Sequence, residues 1–220
     1  MYVGLKMLKR HQFKTLTPDS PVADAERQML EGRLWMMLVE DNQGKLIGYV
    51  NKEDVKEALP SRATTLSKHE LNYLLSKLTV EKVMRTDVPV IAPEADIEEA
   101  ARRLCRDNHA GLAVVDANRS LIGFINRSVM LEVLVEEMGL EQGGSRIVLE
   151  VEDRSGVLHE VSGIIKEMGK SIISTGTFYH NNRRIVVIRV QTPDPAPIAK
   201  ALAAVGYTIC GPHTFEAEWC

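Results

Sequence analysis

The chain has 220 residues, of which 45% are hydrophobic and 26% are charged, a composition that excludes disordered and collagen-like chains and a length that suits two modest modules. Its formal net charge of −3 provides no large positive field for nucleic acid. We find no apolar run long enough to span a membrane, no secretory signal at the start and no cysteine pairing pattern, and we therefore predict a cytosolic protein with reduced thiols.

An internal repeat organises the first part of the chain. A shift of 75 residues places Leu46-Ile47-Gly48 on Leu121-Ile122-Gly123, and Lys14–Leu59 matches Pro89–Leu134 at 11 of 46 positions. Chance would give about 3 identities at average residue usage. We therefore predict one copy of the repeat over residues 1–60 and a second copy over residues 79–138.

Both copies show the same order of predicted elements. Each has a short strand, an amphipathic helix, a hairpin and a closing helix, which makes a β-α-β-β-α unit. In copy one the strand is Phe13–Leu16, the hairpin turns at Asp41–Gly44 and the closing helix starts at Asn51; in copy two the corresponding places are Val88–Ile91, Asp116–Ser120 and Asn126.

Two segments connect the modules. We predict a connecting helix at residues 61–78, because Ser67 and Glu70 have the spacing of a capping box ahead of several leucines. Residues 139–145 are rich in glycine and interrupt the helical pattern, so we predict a flexible linker there.

A different pattern fills residues 146–212, with a tail at 213–220. A half-exposed strand, a helix, a hairpin turning at His180–Arg183, a second helix from Asp194 and a last strand at Tyr207–Cys210 follow in order. This βαββαβ order predicts a ferredoxin-like sandwich. The fold class of the whole chain is therefore α/β (α+β), with tandem repeats followed by the sandwich.

The chain resembles paired cystathionine β-synthase (CBS) domains followed by an ACT domain, the arrangement of the acetoin-utilisation protein family. The segments Gly48–Asp54 and Gly123–Val129, the connector Ala63–Leu78 and the turn Asp153–Leu158 carry the resemblance, which covers almost the whole chain. One departure is Lys9, which the shift of 75 residues places where copy two has the methionine of the family, Met84.

The resemblance implies a nucleotide site in the CBS pair, with AMP, ATP or S-adenosylmethionine as regulatory ligand and no required cofactor. It implies that Asp54 accepts the ribose hydroxyls and that Asn51 lies near the phosphate, with Thr15 and Trp35 completing the site. Copy two has Val129 in place of the acid, so we expect at most one working cleft. Asn51 and Asp54 also have the spacing of a helix cap and its partner, and Trp35 also suits an apolar or dimer contact.

The resemblance also implies an amino-acid site at the ACT turn. Its residues are Asp153, Arg154, Gly156, Leu158 and Ser171, and Gly156 permits a close backbone approach. ACT domains that serve only for assembly keep the same turn, so a structural role stays open.

We expect a non-enzymatic regulatory protein, since no nucleophile-and-base constellation or metal-ligand spacing occurs in the sequence. The resemblance implies a homodimer through the CBS and ACT modules and a regulated enzyme as a further partner. Neither nucleic acid nor a membrane is expected to bind. The alternative is a ligand-free scaffold or regulatory subunit that binds a partner enzyme, and an enzyme is the least favoured class.

Overall fold

The protein, as a computed structural model, is described at residues 1–60, 75 and 77–218. It divides into two compact units, Met1–Leu131 and a second that begins at Glu132. Most of the predicted connecting helix, including Ser67 and Glu70, lies outside the described residues, whereas Leu75 and Lys77 are helical. No helix within the described ranges has the length and apolar character needed to cross a membrane.

The first unit contains both copies of the repeat, each with the predicted helix, hairpin and closing helix. In chain order its elements are α1 (Val3–Lys6), β1 (Leu8–Lys9), a 3₁₀ turn (Arg10–Gln12), α2 (Val22–Glu31), β2 (Met36–Glu40), β3 (Leu46–Asn51), α3 (Lys52–Ala58), a 3₁₀ turn (Val80–Lys82), β4 (Val90–Ile91), α4 (Ile97–Arg106), β5 (Gly111–Val115), β6 (Leu121–Asn126) and α5 (Arg127–Glu137). The last of these helices continues beyond the first unit.

The strand predicted at Phe13–Leu16 is wrong. Only Leu16 bridges to a neighbour, in parallel to Val39, and its backbone bonds to Leu38 and Glu40 at 2.8 and 2.9 Å. Phe13 instead lines a cavity. The corresponding prediction in copy two is confirmed for β4, which pairs in parallel with β5.

Strand β2 is buried on both faces. Met36 and Leu38 pack with Phe124 and other residues of copy two, whereas Met37 and Val39 pack against the helices of copy one. Successive side chains of a strand point to opposite faces, so a strand between two cores needs an unbroken apolar run. The sheet of copy one therefore contributes to its own core and to the core shared with copy two.

The first residues of each copy pair with the hairpin of the other copy. Strand β1 runs antiparallel to β6, with Leu8 opposite Phe124. Arg85, near the start of copy two, bridges Tyr49 of β3 through hydrogen bonds of 2.8 and 2.9 Å. We call these residues the leading segments, 7–16 for copy one and 84–91 for copy two. Their crossing brings residues of different copies into one site.

Two methionines show how the leading segments correspond. Met7 packs on Gly123 and Met84 packs on Gly48, and a Cβ on either glycine would crowd the methionine sulfur. The structure therefore matches Met84 with Met7 and not with Lys9. Copy one has two additional residues in its leading segment, and its 3₁₀ turn accommodates them.

The hairpin turns of the two copies have the same backbone geometry. Asp41 and Asp116 each accept two backbone N–H groups of their own turn at 2.8 to 2.9 Å. Gly44 and Arg119 occupy the same left-handed position, with φ of 77° and 63°. Copy two thus places an arginine where the backbone favours glycine.

The second unit has the predicted βαββαβ order. Its elements are a 3₁₀ turn (Leu140–Gln142), β7 (Ser145–Val151), α6 (Val157–Glu167), β8 (Ile172–His180), β9 (Arg183–Val190), α7 (Ala196–Ala204), β10 (Thr208–Ile209) and a C-terminal 3₁₀ segment (Pro212–Glu218). The sheet is antiparallel in the order β10-β7-β9-β8, the ferredoxin-like arrangement. Helices α6 and α7 cover one face, where Leu149, Ile188 and Leu202 are buried.

Hydrogen bonds from β8 and β9 hold the predicted linker and the residue before it against this sheet. Arg189 donates to the carbonyl groups of Met138, Gly143 and Gly144 at 3.1 to 3.3 Å. The hydroxyl of Ser174 also donates to Met138, at 2.9 Å. These bonds satisfy carbonyl groups at the end of α5 and after it, which would otherwise lack partners.

Candidate functional site

The first candidate site lies at the start of α3. Asn51 is the N-cap residue and its backbone N–H donates to Asp54 Oδ2 at 3.2 Å. Arg85 donates to both carboxylate oxygens, from Nε to Oδ2 at 3.0 Å and from Nη2 to Oδ1 at 2.6 Å. The carboxylate that the sequence singles out is therefore both part of a helix cap and the partner of a cation from the other copy.

Burial and hydrogen bonding act on Asp54 in opposite directions. Burial of the side chain, which is 16% exposed, works to raise its pKa, but the bonds from Arg85 and Asn51 outweigh burial and hold the pKa below its ordinary value. The same pairing raises the pKa of Arg85. Nearby, burial and then the charge of Asp87 raise the pKa of Tyr49. At neutral pH the site is thus a carboxylate and a guanidinium, beside a neutral phenol.

A second cleft of the same unit encloses a cavity of about 410 Å³. Residues of both copies form its walls: Leu8, Gln12, Phe13, Lys14, Gln28, Glu31, Gly32, Leu34, Met36, Met37, Leu38, Phe124 and Asn126. Asn126 Oδ1 accepts the N–H of Val129 at 3.0 Å, which caps α5. Because Val129 is a buried apolar residue, it supplies no carboxylate here.

Trp35 lies next to the start of α3. Its carbonyl accepts the N–H of Lys52 at 2.9 Å, and Lys52 Nζ lies 4.8 Å from the centroid of the indole ring. The side chain is 60% exposed, and its neighbours Leu34 and Met36 line the cavity of the second cleft. Trp35 is therefore available to a ligand once Lys52 leaves the ring.

Thr15 has a different environment. Its hydroxyl accepts from Arg10 Nη2 at 3.2 Å, and Arg10 also pairs with Glu40, while the adjacent Lys14 lines the second cleft. The structure thus brings Asn51 and Asp54 together, and it ties Thr15 to Arg10.

Sequence reasoning missed Arg85. A single arginine in a leading segment gives no local signal of a partner 31 positions away. The residue directly follows Met84, and it meets Asp54 because the leading segment of copy two crosses to the hairpin of copy one.

The second candidate site is the turn before α6. Gly156 has φ of 89° and caps the helix. Arg154 donates two bonds of 2.7 Å to Glu160, and Tyr207 donates to the same carboxylate at 2.6 Å. Those bonds from Arg154 and Tyr207 hold the pKa of Glu160 at about 2. The turn is therefore braced by ionic and hydrogen-bonded contacts on its helix side.

Arg184 lies on the sheet side of this turn and has one N–H donor, Nε, without an acceptor in the described part of the chain. Asp153 accepts from Tyr179 at 2.8 Å and from Arg184 Nη1 at 3.1 Å. Arg184 Nε is a buried donor that no group in the described part of the chain accepts from. The Arg184 side chain lines a cavity of about 920 Å³, together with Asp153 and Arg154.

The other two predicted residues lie at opposite ends of α6 within one chain. Leu158 is in the first turn of α6 and is 42% exposed. Ser171 follows the far end of that helix and accepts the N–H of Gln191 at 2.8 Å. An 11-residue helix is about 16 Å long, so Ser171 could meet a ligand at the turn only from a second copy of the chain.

The comparison with family models identifies the first unit. The model of the CBS domain matches residues 5–61 and 80–136, just over half of the chain. A CBS domain-containing protein of Dictyostelium discoideum is 26% identical over 136 residues, which is 62% of this chain and 94% of that protein.

Two solved structures are similar to this chain over about two thirds of its length or slightly less. CBSX2 of Arabidopsis thaliana in complex with AMP is 27% identical, with a TM-score of 0.51, over 61% of this chain and 96% of that one. An acetoin utilization protein of Vibrio cholerae shares the fold at 24% identity, with a TM-score of 0.53, over 66% of this chain and 98% of that one.

Proposed function

Because the chain belongs to the CBS domain family, we propose that it is a cytosolic, non-catalytic regulatory protein whose CBS pair binds an adenine nucleotide. The observation that carries the proposal is the mostly buried, ionised carboxylate of Asp54. An ionised carboxylate accepts hydrogen bonds, and the two hydroxyl groups of a ribose can donate them. The AMP complex of CBSX2 supports the choice of ligand class.

Arg85 determines how such a ligand enters. A carboxylate offers about four acceptor positions, and Asn51 with two N–H groups of Arg85 occupies three of them. A ribose diol needs two positions, so at least one of these bonds must be released when the nucleotide binds. We assign the release to Arg85, whose side chain is 52% exposed, and not to the backbone N–H of the helix cap. A released guanidinium pairs well with phosphate. We assign Asp54 to the ribose and Arg85 to the phosphate, with Asn51 beside them as the cap.

Thr15 and Trp35 belong in this proposal to the margin of the second cleft. Lys14 and Asn126 offer polar contacts there, and Trp35 offers a ring for stacking when Lys52 moves. Since Val129 replaces the acid, we propose weaker binding in this cleft than at Asp54.

Thermal unfolding tests the proposal. The wild type and Asp54→Ala are melted with AMP, ATP and S-adenosylmethionine, and a ligand at 100 times its dissociation constant adds about 2.7 kcal/mol of stability. We expect a rise in melting temperature that the substitution abolishes. Asp24→Ala, which removes a partly exposed carboxylate from α2, is the matched control. No shift in either protein would favour a ligand-free scaffold or a regulatory subunit that binds a partner enzyme, the alternative that Val129 supports.

A second function is favoured by Arg184. We propose that the second unit is an ACT domain whose turn binds the carboxylate of an amino acid, since Arg184 Nε is a buried donor awaiting an acceptor. Asp153, Arg154, Gly156 and Leu158 form the turn, and Ser171 of a second copy completes the site.

Calorimetric titration with the twenty amino acids tests this function. One of them should bind to the wild type and bind at least about tenfold more weakly to Arg184→Gln, because a charge-assisted hydrogen bond is lost. Arg27→Gln in the first unit is the matched control. Equal binding to all three proteins, or no binding at all, would contradict the assignment.

A further inference from the structure

A cavity of the second unit, beside strands β7 and β10, lies outside the sites described above. It has a volume of about 660 Å³, within the range of small-molecule sites. Its walls are Arg146, Ile147, Val148, Phe178, His180, Pro195, Ala199, Ile209, Cys210, Gly211, Pro212, Phe215 and Glu218. None of these residues lines the cavity at Asp153.

The lining of this cavity is mainly apolar. Val148 lies on the face of β7 opposite the core residues Ile147 and Leu149, so it points to the side that no helix of the unit covers. Phe178 is half exposed on β8. Burial raises the pKa of Cys210, and a neutral thiol acts as a small apolar group.

The C-terminal 3₁₀ segment closes one side. Glu218 accepts from Asn181 at 2.8 Å and also pairs with His180 and Arg183. The ring of Phe215 meets His180 edge-on at a centroid distance of 5.4 Å, and the guanidinium of Arg183 lies 5.2 Å from the Phe215 centroid. These contacts hold the segment against the β8–β9 hairpin, so the cavity is formed before a ligand arrives.

The charges of the lining are unequal. Arg146 has an exposed side chain, and within the described ranges its guanidinium forms no hydrogen bond or ion pair. The lining carboxylate, Glu218, is already balanced by Arg183. An apolar cavity with one uncompensated guanidinium at its margin suits an apolar ligand with one negative charge, because arginine binds a carboxylate through two parallel hydrogen bonds.

We propose that this cavity binds a small apolar monocarboxylate, with its hydrocarbon part among Val148, Phe178 and Phe215 and its carboxylate on Arg146. The site would give the protein a ligand input separate from the nucleotide cleft and from the turn before α6.

Binding of phenylacetate to the full-length protein tests the proposal, with phenylacetamide as the neutral analogue of the same shape. Methyl NMR follows the signals of Val148 and Ile209 during titration, and calorimetry gives the dissociation constants. We expect phenylacetate to shift both signals and to bind about tenfold more tightly than the amide, because the amide cannot form an ion pair.

Two variants separate the charge from the cavity. Arg146→Gln should weaken phenylacetate about tenfold and leave the amide within about twofold, because it removes only the cation. Ala199→Leu should weaken both ligands, because it places a larger side chain into the cavity from α7. Lys170→Gln, an exposed cation of the same unit, is the control and should change neither constant, and circular dichroism melts confirm that the variants fold.

Three results would overturn the proposal: no shift of Val148 or Ile209 with phenylacetate, equal phenylacetate affinity of the wild type and Arg146→Gln, or unchanged binding in Ala199→Leu. The assay contains no nucleotide or amino acid, so its outcome is independent of the proposed function.

Discussion

Arg85 of one repeat donates two hydrogen bonds to Asp54 of the other, at 3.0 and 2.6 Å, although the two residues are 31 positions apart. The contact arises because each leading segment crosses to the hairpin of the opposite copy. A ligand that takes the Asp54 carboxylate must therefore compete with Arg85, and the ligand-free protein keeps that carboxylate occupied.

This competition predicts a change in selectivity. Arg85→Gln should tighten the binding of adenosine, because adenosine has no phosphate and displaces the arginine without a new contact to it. The same substitution should weaken the binding of AMP, because the phosphate of AMP pairs with the released guanidinium. The ratio of the AMP affinity to the adenosine affinity should fall about tenfold, as measured by calorimetry. Arg102→Gln, which removes an exposed arginine from α4, is the matched control. Parallel changes for both ligands would argue against a phosphate contact.

Asp54 also predicts a dependence of stability on pH. Its pKa is depressed from 3.8 in the folded protein, so its stabilising effect is fully present above the unfolded-state pKa and is lost as the pH falls through the folded-state pKa. Urea unfolding should show Asp54→Asn less stable than the wild type by about 1 kcal/mol at pH 7. The difference should shrink below about pH 4. A difference that stays constant down to pH 2 would mean that the carboxylate charge does not stabilise the fold.

The hairpin turns predict opposite effects of two glycine substitutions. Arg119→Gly should stabilise the protein by about 0.5 kcal/mol. The backbone strain that glycine removes in the folded state exceeds the cost of the conformational entropy that glycine adds to the unfolded chain. Gly44→Ala should destabilise it by about 1 kcal/mol through backbone strain alone, since a Cβ at that position meets open space. Chemical denaturation of both variants measures the pair. A loss of stability in Arg119→Gly would show that the arginine side chain contributes more than its backbone costs.

We predict that the hydrogen bonds of Arg189 restrain the segment after α5. Arg189→Ala removes its bonds to three carbonyl groups, and amide hydrogen exchange over residues 138–144 should become faster. Ser174→Ala removes one bond to Met138 and should have a smaller effect. Unchanged exchange in Arg189→Ala would mean that other contacts hold the segment.

The edge of the second unit's sheet predicts self-association. Strand β8 ends the sheet, and its Tyr179, which does not line the apolar cavity, is 62% exposed. An open strand edge favours pairing with a second copy. Light scattering at micromolar concentration should give twice the chain mass of 24.5 kDa. A monomer mass would contradict this expectation and would leave Ser171 without a role in the proposed amino-acid site.

The sequence was a good guide wherever an element depends on neighbours in the chain. The hairpins of both copies follow from alternating apolar runs around polar turns, and Asn51 and Asn126 start helices as their capping side chains predict. The strand predicted at Phe13–Leu16 was wrong because its β-rich composition did not reveal that Phe13 lines a cavity. A strand needs a partner along its whole length, and Leu16 alone has one.

The candidate sites show the same division. The sequence by itself identified Asn51 and Asp54 as neighbours, because two residues three positions apart at a helix start lie close together. It also identified the turn at Gly156 from its local pattern. Only the tertiary structure decided that Arg85 meets Asp54 and that Met7 is the counterpart of Met84. Spacing along the chain determines local geometry, whereas contacts between copies depend on where each leading segment crosses the sheets.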